Sequence, residues 1–99
     1  MSIHIPEHLP EQLADLARKN GTQRLVLFGS RARGDHHERS DIDLAVFGLD
    51  STKAGQLRLA LEDLPTLLSF DLVCVDKNTS PALLENINRE GVILYASEM

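Results

Sequence analysis

The chain of 99 residues is 42% hydrophobic and 25% charged, which predicts one globular domain over residues 1–99. Its 10 Lys and Arg stand against 15 Asp and Glu, and this net charge of −5 disfavours duplex nucleic acid as the main partner. No apolar run reaches the roughly 18 residues that cross a bilayer, no signal peptide is recognisable, and a lone cysteine forms no internal disulfide. We therefore expect a cytoplasmic protein without membrane contact.

The apolar residues in chain order predict three helices and four short strands, arranged α-β-β-α-β-α-β. Helices are predicted over 10–20, 51–64 and 80–89, and strands over 24–28, 41–47, 70–75 and 92–95. Gly21, Pro65 and Gly91 end the three helices in turn. The strand over 70–75 is nearly all apolar and is therefore expected to be buried on both faces.

The connections between the strands predict how they pair. A loop of about a dozen residues joins the first two strands, which most simply run antiparallel, and a helical crossover makes the second and third strands parallel. The end of the first strand and the starts of the next two then share one edge of the sheet. The predicted fold is an α/β (α+β) domain with helices packed on a small mixed sheet, and its chemistry is expected at that edge.

Gly29 and Ser30 follow the first strand directly and are the first candidate site residues. Glycine lets the backbone come close to a ligand, and the N–H groups of the turn together with the Ser30 hydroxyl form a cradle suited to phosphate. An ordinary turn from a strand into a helix is the alternative interpretation. Arg31, Arg33 and Arg39 lie in the loop beyond and are candidates for phosphate binding, or for ion pairs with acidic residues of the same loop.

Asp41 and Asp43 lie two residues apart at the start of the second strand, so that both carboxylates project from the same face. Such a pair repels itself unless a cation intervenes, and oxygen-only ligands favour Mg²⁺ or Mn²⁺; a solvated strand start is the alternative. Asp71 in the third strand is expected at the same edge. Asp76, the rival third acid, would lie about 17 Å away. Three convergent acids suit a two-metal site for phosphoryl or nucleotidyl transfer.

Other polar or reactive residues have ordinary structural interpretations. His36 and His37 are adjacent and lack the further ligands of a zinc site, so they are predicted to be exposed loop residues. Cys74 falls in an apolar strand and is predicted to fill space in the core.

The string Phe-Gly-Ser-Arg-Ala-Arg-Gly from Phe28, followed by Ser-Asp-Ile-Asp-Leu-Ala-Val from Ser40, resembles the minimal nucleotidyltransferase (MNT) branch of the DNA polymerase β-like nucleotidyltransferases. The resemblance covers about residues 10–95. It implies that Gly29 and Ser30 hold the triphosphate of ATP, that Asp41 and Asp43 bind two Mg²⁺ ions, and that Asp71 is the third acid and accepts the proton of the attacking hydroxyl.

The resemblance also implies a partner and an acceptor. Members of this branch are often encoded beside a helical HEPN toxin, which they silence as antitoxins by transferring AMP from ATP to a tyrosine hydroxyl. The second domain of larger relatives is missing, so we expect the partner to complete the pocket. Two alternatives remain open: a module that neutralises its HEPN partner by contact alone, and a nucleotidyltransferase with a small-molecule or nucleic-acid acceptor.

Overall fold

A computed structural model describes residues 5–37 and 40–97. The helices are α1 (Leu9–Lys19), α2 (Ser30–Arg33), α3 (Ser51–Glu62) and α4 (Pro81–Glu90), and the strands are β1 (Arg24–Phe28), β2 (Ile42–Phe47), β3 (Phe70–Val75) and β4 (Val92–Ala96). The α+β class and all seven predicted elements are confirmed, with ends that differ by one or two residues. Within the described ranges, no helix has both the length and the apolar character needed to cross a membrane.

The four strands form one mixed sheet in the order β3-β2-β1-β4. β1 runs antiparallel to both β2 and β4, and β2 runs parallel to β3. The two pairings predicted from the connections are thus confirmed. The register sets Phe28 opposite Asp43 and Asp43 opposite Asp71, so the end of β1 and the starts of β2 and β3 lie at one edge of the sheet.

One face of the sheet carries the larger part of the core. Side chains alternate between the two faces of a strand, and every second residue of β1, β2 and β3 packs under α1 and α3 on this face. The buried residues of this cluster are Leu9, Leu13, Ala17, Leu25, Leu27, Ile42, Leu44, Val46, Leu57, Leu61 and Leu72. Asp50 caps α3 by accepting the backbone N–H of Lys53 at 2.9 Å. Burial of the apolar cluster is the main source of stability, because removing apolar surface from water is the largest favourable contribution to folding.

The opposite face is covered by α4 over only part of its area. Ile87 of α4 is buried against Val26, Phe28 and Ala45. Ser80 begins α4, and its hydroxyl accepts the N–H of Leu83 at 3.1 Å. Because residues two apart share a face, the Asp43 side chain lies on the same face as Ala45. The acidic residues are therefore on the less covered side of the sheet.

One expectation from the sequence was wrong, and one short helix was not predicted. β3 is not buried on both faces: of its six residues only Leu72 is buried, because β3 is an edge strand and α4 covers the middle of the sheet. The segment after Gly29 forms a separate short helix, α2, of four residues. It escaped prediction as an element because one turn is too short to show helical periodicity.

Candidate active site

The turn between β1 and α2 depends on glycine. Gly29 has φ 77° and ψ −157°, a backbone conformation that residues with a side chain almost never adopt. Its carbonyl accepts the N–H groups of Ala32 at 3.1 Å and Arg33 at 3.0 Å, which closes the turn of α2. A Cβ at residue 29 would overlap the carboxylate of Asp43. The missing side chain therefore leaves the space in which this carboxylate lies against the backbone at Gly29.

Asp43 and Asp71 are direct neighbours across the parallel pair β2·β3. Asp41 precedes β2 by one residue and lies two before Asp43, which places it toward the same face. The N–H of Ile42 donates to the carbonyl of Ser69 at 2.8 Å, so the strand pairing continues up to the residue next to Asp41. The structure thus brings the three predicted acids to one edge.

Electrostatic repulsion links these acids. The pKa of Asp43 is raised by its partial burial, then by the negative charges of Asp71 and Asp41, while the positive charge of Arg33 acts in the opposite direction. Asp76, the rival third acid, lies beyond the other end of β3, where its carboxylate accepts the N–H of Asn78 at 2.7 Å. It belongs to a local turn away from this edge.

The acids suit a hard divalent cation by their chemistry. Within residues 5–37 and 40–97, no three His, Cys, Asp or Glu side chains are close enough together to enclose a metal ion. Mg²⁺, however, usually takes only one or two protein carboxylates and completes its shell with water and substrate phosphates. Asp43 and Asp71 are adjacent in register, and Asp41 lies beside them. Their carboxylate oxygens repel one another next to the turn at Gly29, and this arrangement fits such an ion.

Arg31 has a position that the sequence did not indicate, since only 5% of it is exposed. Its Nε donates to the carbonyl of Ser40 at 3.0 Å, and its Nη2 to the carbonyl of His37 at 3.4 Å. These bonds hold the backbone immediately before Asp41. They support a role in shaping the loop, and phosphate binding by Arg31 stays a prediction.

Arg33, by contrast, is half-exposed and lies near the acids. Its Nε donates to Asp35 at 3.1 Å, and its Nη1 donates to both carboxylate oxygens of Glu90, at 3.2 and 3.0 Å. The contact with Asp35 is one of the ion pairs that the sequence suggested. Glu90 was not predicted as part of the site, because it is 57 positions from Arg33 and no local pattern links the two.

The remaining candidates lie outside the acidic cluster. His37 is exposed as expected, whereas His36 is partly buried, and Cys74 is partly buried against the larger core. Arg39 lies outside the described residues.

Comparison with known proteins places these features in a family. The family model "Polymerase beta, Nucleotidyltransferase" matches residues 11–99. A solved protein described as a minimal nucleotidyltransferase is 34% identical to this chain with a TM-score of 0.70, over 85% of this chain and 87% of that one. No curated protein sequence matches significantly.

Two further solved relatives are toxin–antitoxin complexes. A chain of a complex with AMP-PNP has a TM-score of 0.73 and 29% identity, over 90% of this chain and 74% of that one. A chain of the complex between a tri-AMPylated HEPN toxin and an MNT antitoxin, from Shewanella oneidensis, has a TM-score of 0.64 and 25% identity. The match covers 90% of this chain and 71% of that one.

Proposed function

Because the chain belongs to the polymerase β nucleotidyltransferase family, and is therefore a nucleotidyltransferase, we propose that it transfers AMP from ATP to a tyrosine hydroxyl of a HEPN toxin. In this proposal the chain is the antitoxin of the pair and uses Mg²⁺. The observation that carries the proposal is the placement of Asp43 beside Asp71 in the strand register and against the glycine turn at Gly29. Similarity to the AMP-PNP complex and to the AMPylated complex supports the nucleotide and the acceptor.

Each part of the site has an assigned role in the transfer. The turn at Gly29 and Ser30 binds the triphosphate through backbone N–H groups and the serine hydroxyl. The acceptor hydroxyl attacks the α-phosphorus of ATP, the bond from that phosphorus to the pyrophosphate oxygen breaks, and pyrophosphate leaves. Asp71 accepts the proton of the hydroxyl. Asp71 suits this role because it is exposed at the edge of the sheet, where a second protein can reach it.

Asp41 and Asp43 would hold the Mg²⁺ ions, together with Asp71. When bound, these ions neutralise the negative charge on the attacking oxygen, the phosphates and the leaving group. The open side of the sheet beside the acids leaves room for a partner protein to approach. The proposed partner is a HEPN protein, with which the chain forms a hetero-oligomer.

The test is transfer of label from [α-³²P]ATP to a HEPN protein encoded by a neighbouring gene, in the presence of Mg²⁺. The double variant Asp41→Asn/Asp43→Asn should lose the transfer and keep a cooperative unfolding transition. Intact-mass analysis should show the partner gaining AMP in the wild-type reaction. Asp63→Asn is the matched control, because Asp63 follows α3, is exposed, and makes no side-chain hydrogen bond within the described part of the chain.

Equal labelling of the partner by the double variant and by the wild type would exclude this site. Growth rescue by a double variant that transfers no label would instead favour neutralisation by contact alone. Label that appears on a nucleic acid or a small molecule, with no mass gained by the partner, would reassign the acceptor.

A further inference from the structure

Arg33 is held by two carboxylates, one from its own loop and one 57 positions away in the chain. Asp35 accepts its Nε, and Glu90, at the end of α4, accepts its Nη1 through both carboxylate oxygens. Both contacts raise the pKa of Arg33, that with Asp35 more than that with Glu90. The guanidinium therefore has a defined orientation although it is half-exposed.

The fold fixes Glu90 in this place. Gly91 follows it directly, and a Cβ at residue 91 would overlap the carbonyl of Ile87 and the side chain of Val26. The end of α4 therefore packs closer to β1 than a larger residue would allow. The Glu90 side chain is only 15% exposed, against 75% for Glu85 on the same helix.

Some N–H groups of the Arg33 guanidinium make no hydrogen bond within the described residues. A guanidinium carries five N–H groups on three nitrogens, and the two carboxylates engage only Nε and Nη1. Across residues 5–37 and 40–97, Nη2 has no hydrogen-bond partner. The backbone N–H of Arg33 donates to the carbonyl of Gly29 at 3.0 Å, and Gly29 lies against the Asp43 carboxylate. Arg33 is thus in the turn next to Asp43, and its positive charge lowers the pKa of that carboxyl.

We propose that Glu90 is a positioning residue for nucleotide binding: it holds the Arg33 guanidinium beside the acidic cluster, so that the remaining N–H groups meet phosphate oxygens of the bound triphosphate. This inference rests on the proposed function and adds a residue to it. The physical basis is preorganisation, because an arginine that is already held in place loses little side-chain freedom when it binds phosphate.

The test is the affinity for AMP-PNP with Mg²⁺, measured by isothermal titration calorimetry on the whole chain. Glu90→Gln should weaken binding about three- to tenfold, the cost of immobilising one long side chain. Removing a negative charge by itself favours binding of an anion, so weaker binding has the opposite sign to the simple charge effect. Glu85→Gln is the matched control: it removes the same charge from the same helix, where Glu85 pairs with Arg89 at 3.8 Å, and should bind as the wild type or slightly tighter.

A second variant separates positioning from general damage. Arg33→Lys keeps the charge and loses the planar fork, so it should weaken binding, and adding Glu90→Gln to it should cause little further loss. If the two losses instead multiply, Glu90 acts independently of Arg33 and the inference fails.

The remaining outcomes are also decisive. If the wild type binds AMP-PNP and Glu90→Gln binds it equally well or more tightly, Glu90 has no positioning role. The proposed function then still stands. A wild type that binds no AMP-PNP overturns both. In the transfer reaction, the Glu90→Gln loss should appear in KM for ATP more than in kcat, because the positioned group acts on the bound triphosphate.

Discussion

Replacing Gly29 with alanine tests the central feature of the site, the contact between the glycine turn and the Asp43 carboxylate. With φ 77° and ψ −157°, Gly29 occupies a region of backbone conformation that is essentially restricted to glycine. A residue with a side chain forced into such a region costs about 1–3 kcal/mol. The added Cβ would also overlap the Asp43 carboxylate, so that either this side chain or the turn must move.

The expected effect on activity is larger than the effect on stability. Misplacing a reacting or positioning group by about 1 Å can cost on the order of 100-fold in rate. We therefore expect Gly29→Ala to lose roughly 100-fold in AMP transfer and about 1–3 kcal/mol in the free energy of unfolding. The two measurements are label transfer from [α-³²P]ATP and equilibrium unfolding in urea.

Gly21→Ala is the matched control for this variant. Gly21 also has a positive φ, +74°, but a Cβ there would meet only the flexible end of Lys53, at 3.4 Å. It should cost about 1–2 kcal/mol from the backbone alone and keep full activity once folded. If Gly29→Ala transfers AMP as fast as Gly21→Ala does, the contact with Asp43 has no role in catalysis and this reasoning is refuted.

Three further predictions concern stability. Asp43→Asn should stabilise the metal-free protein at pH 7 by less than about 1 kcal/mol. The raised pKa of Asp43 means that its ionised form opposes folding, so this gain should fade as the pH falls through the usual carboxyl range. Urea unfolding at pH 7 and at a pH below that range checks this prediction. Leu44→Ala, at a fully buried position of β2, should cost about 2–5 kcal/mol, whereas Leu59→Ala, 65% exposed, should change the free energy of unfolding by under about 0.5 kcal/mol. Arg31→Ala should cost about 1.5–3 kcal/mol and speed proteolysis of the loop before Asp41, because the carbonyls of His37 and Ser40 lose their buried donor.

The pairing of the strands and the placement of the acids could be predicted because both follow from short-range rules. A period of two sets Asp41 and Asp43 on one face, and a helical crossover makes β2 and β3 parallel, which aligns Asp43 with Asp71. These rules need only the local sequence and the lengths of the connections.

The parts that could not be predicted depend on contacts between distant residues. Arginine is usually exposed, and nothing near Arg31 in the sequence shows that backbone carbonyls of the next loop enclose it. The ion pair of Arg33 with Glu90 forms only once α4 is packed against β1 through Gly91. The incomplete burial of β3 likewise depends on strand order, which sets β3 at the edge.

The two faces of the sheet contribute unequally to stability. The face under α1 and α3 holds the larger cluster of buried aliphatic side chains, while the opposite face combines a smaller buried cluster with carboxylates that repel one another next to a turn whose backbone conformation favours glycine. Repelling carboxylates and a strained turn both oppose folding. Burial of apolar surface on both faces offsets these costs, and the larger share comes from the face under α1 and α3. Substitutions that relieve the repulsion at Asp43 should therefore raise stability and lower activity together.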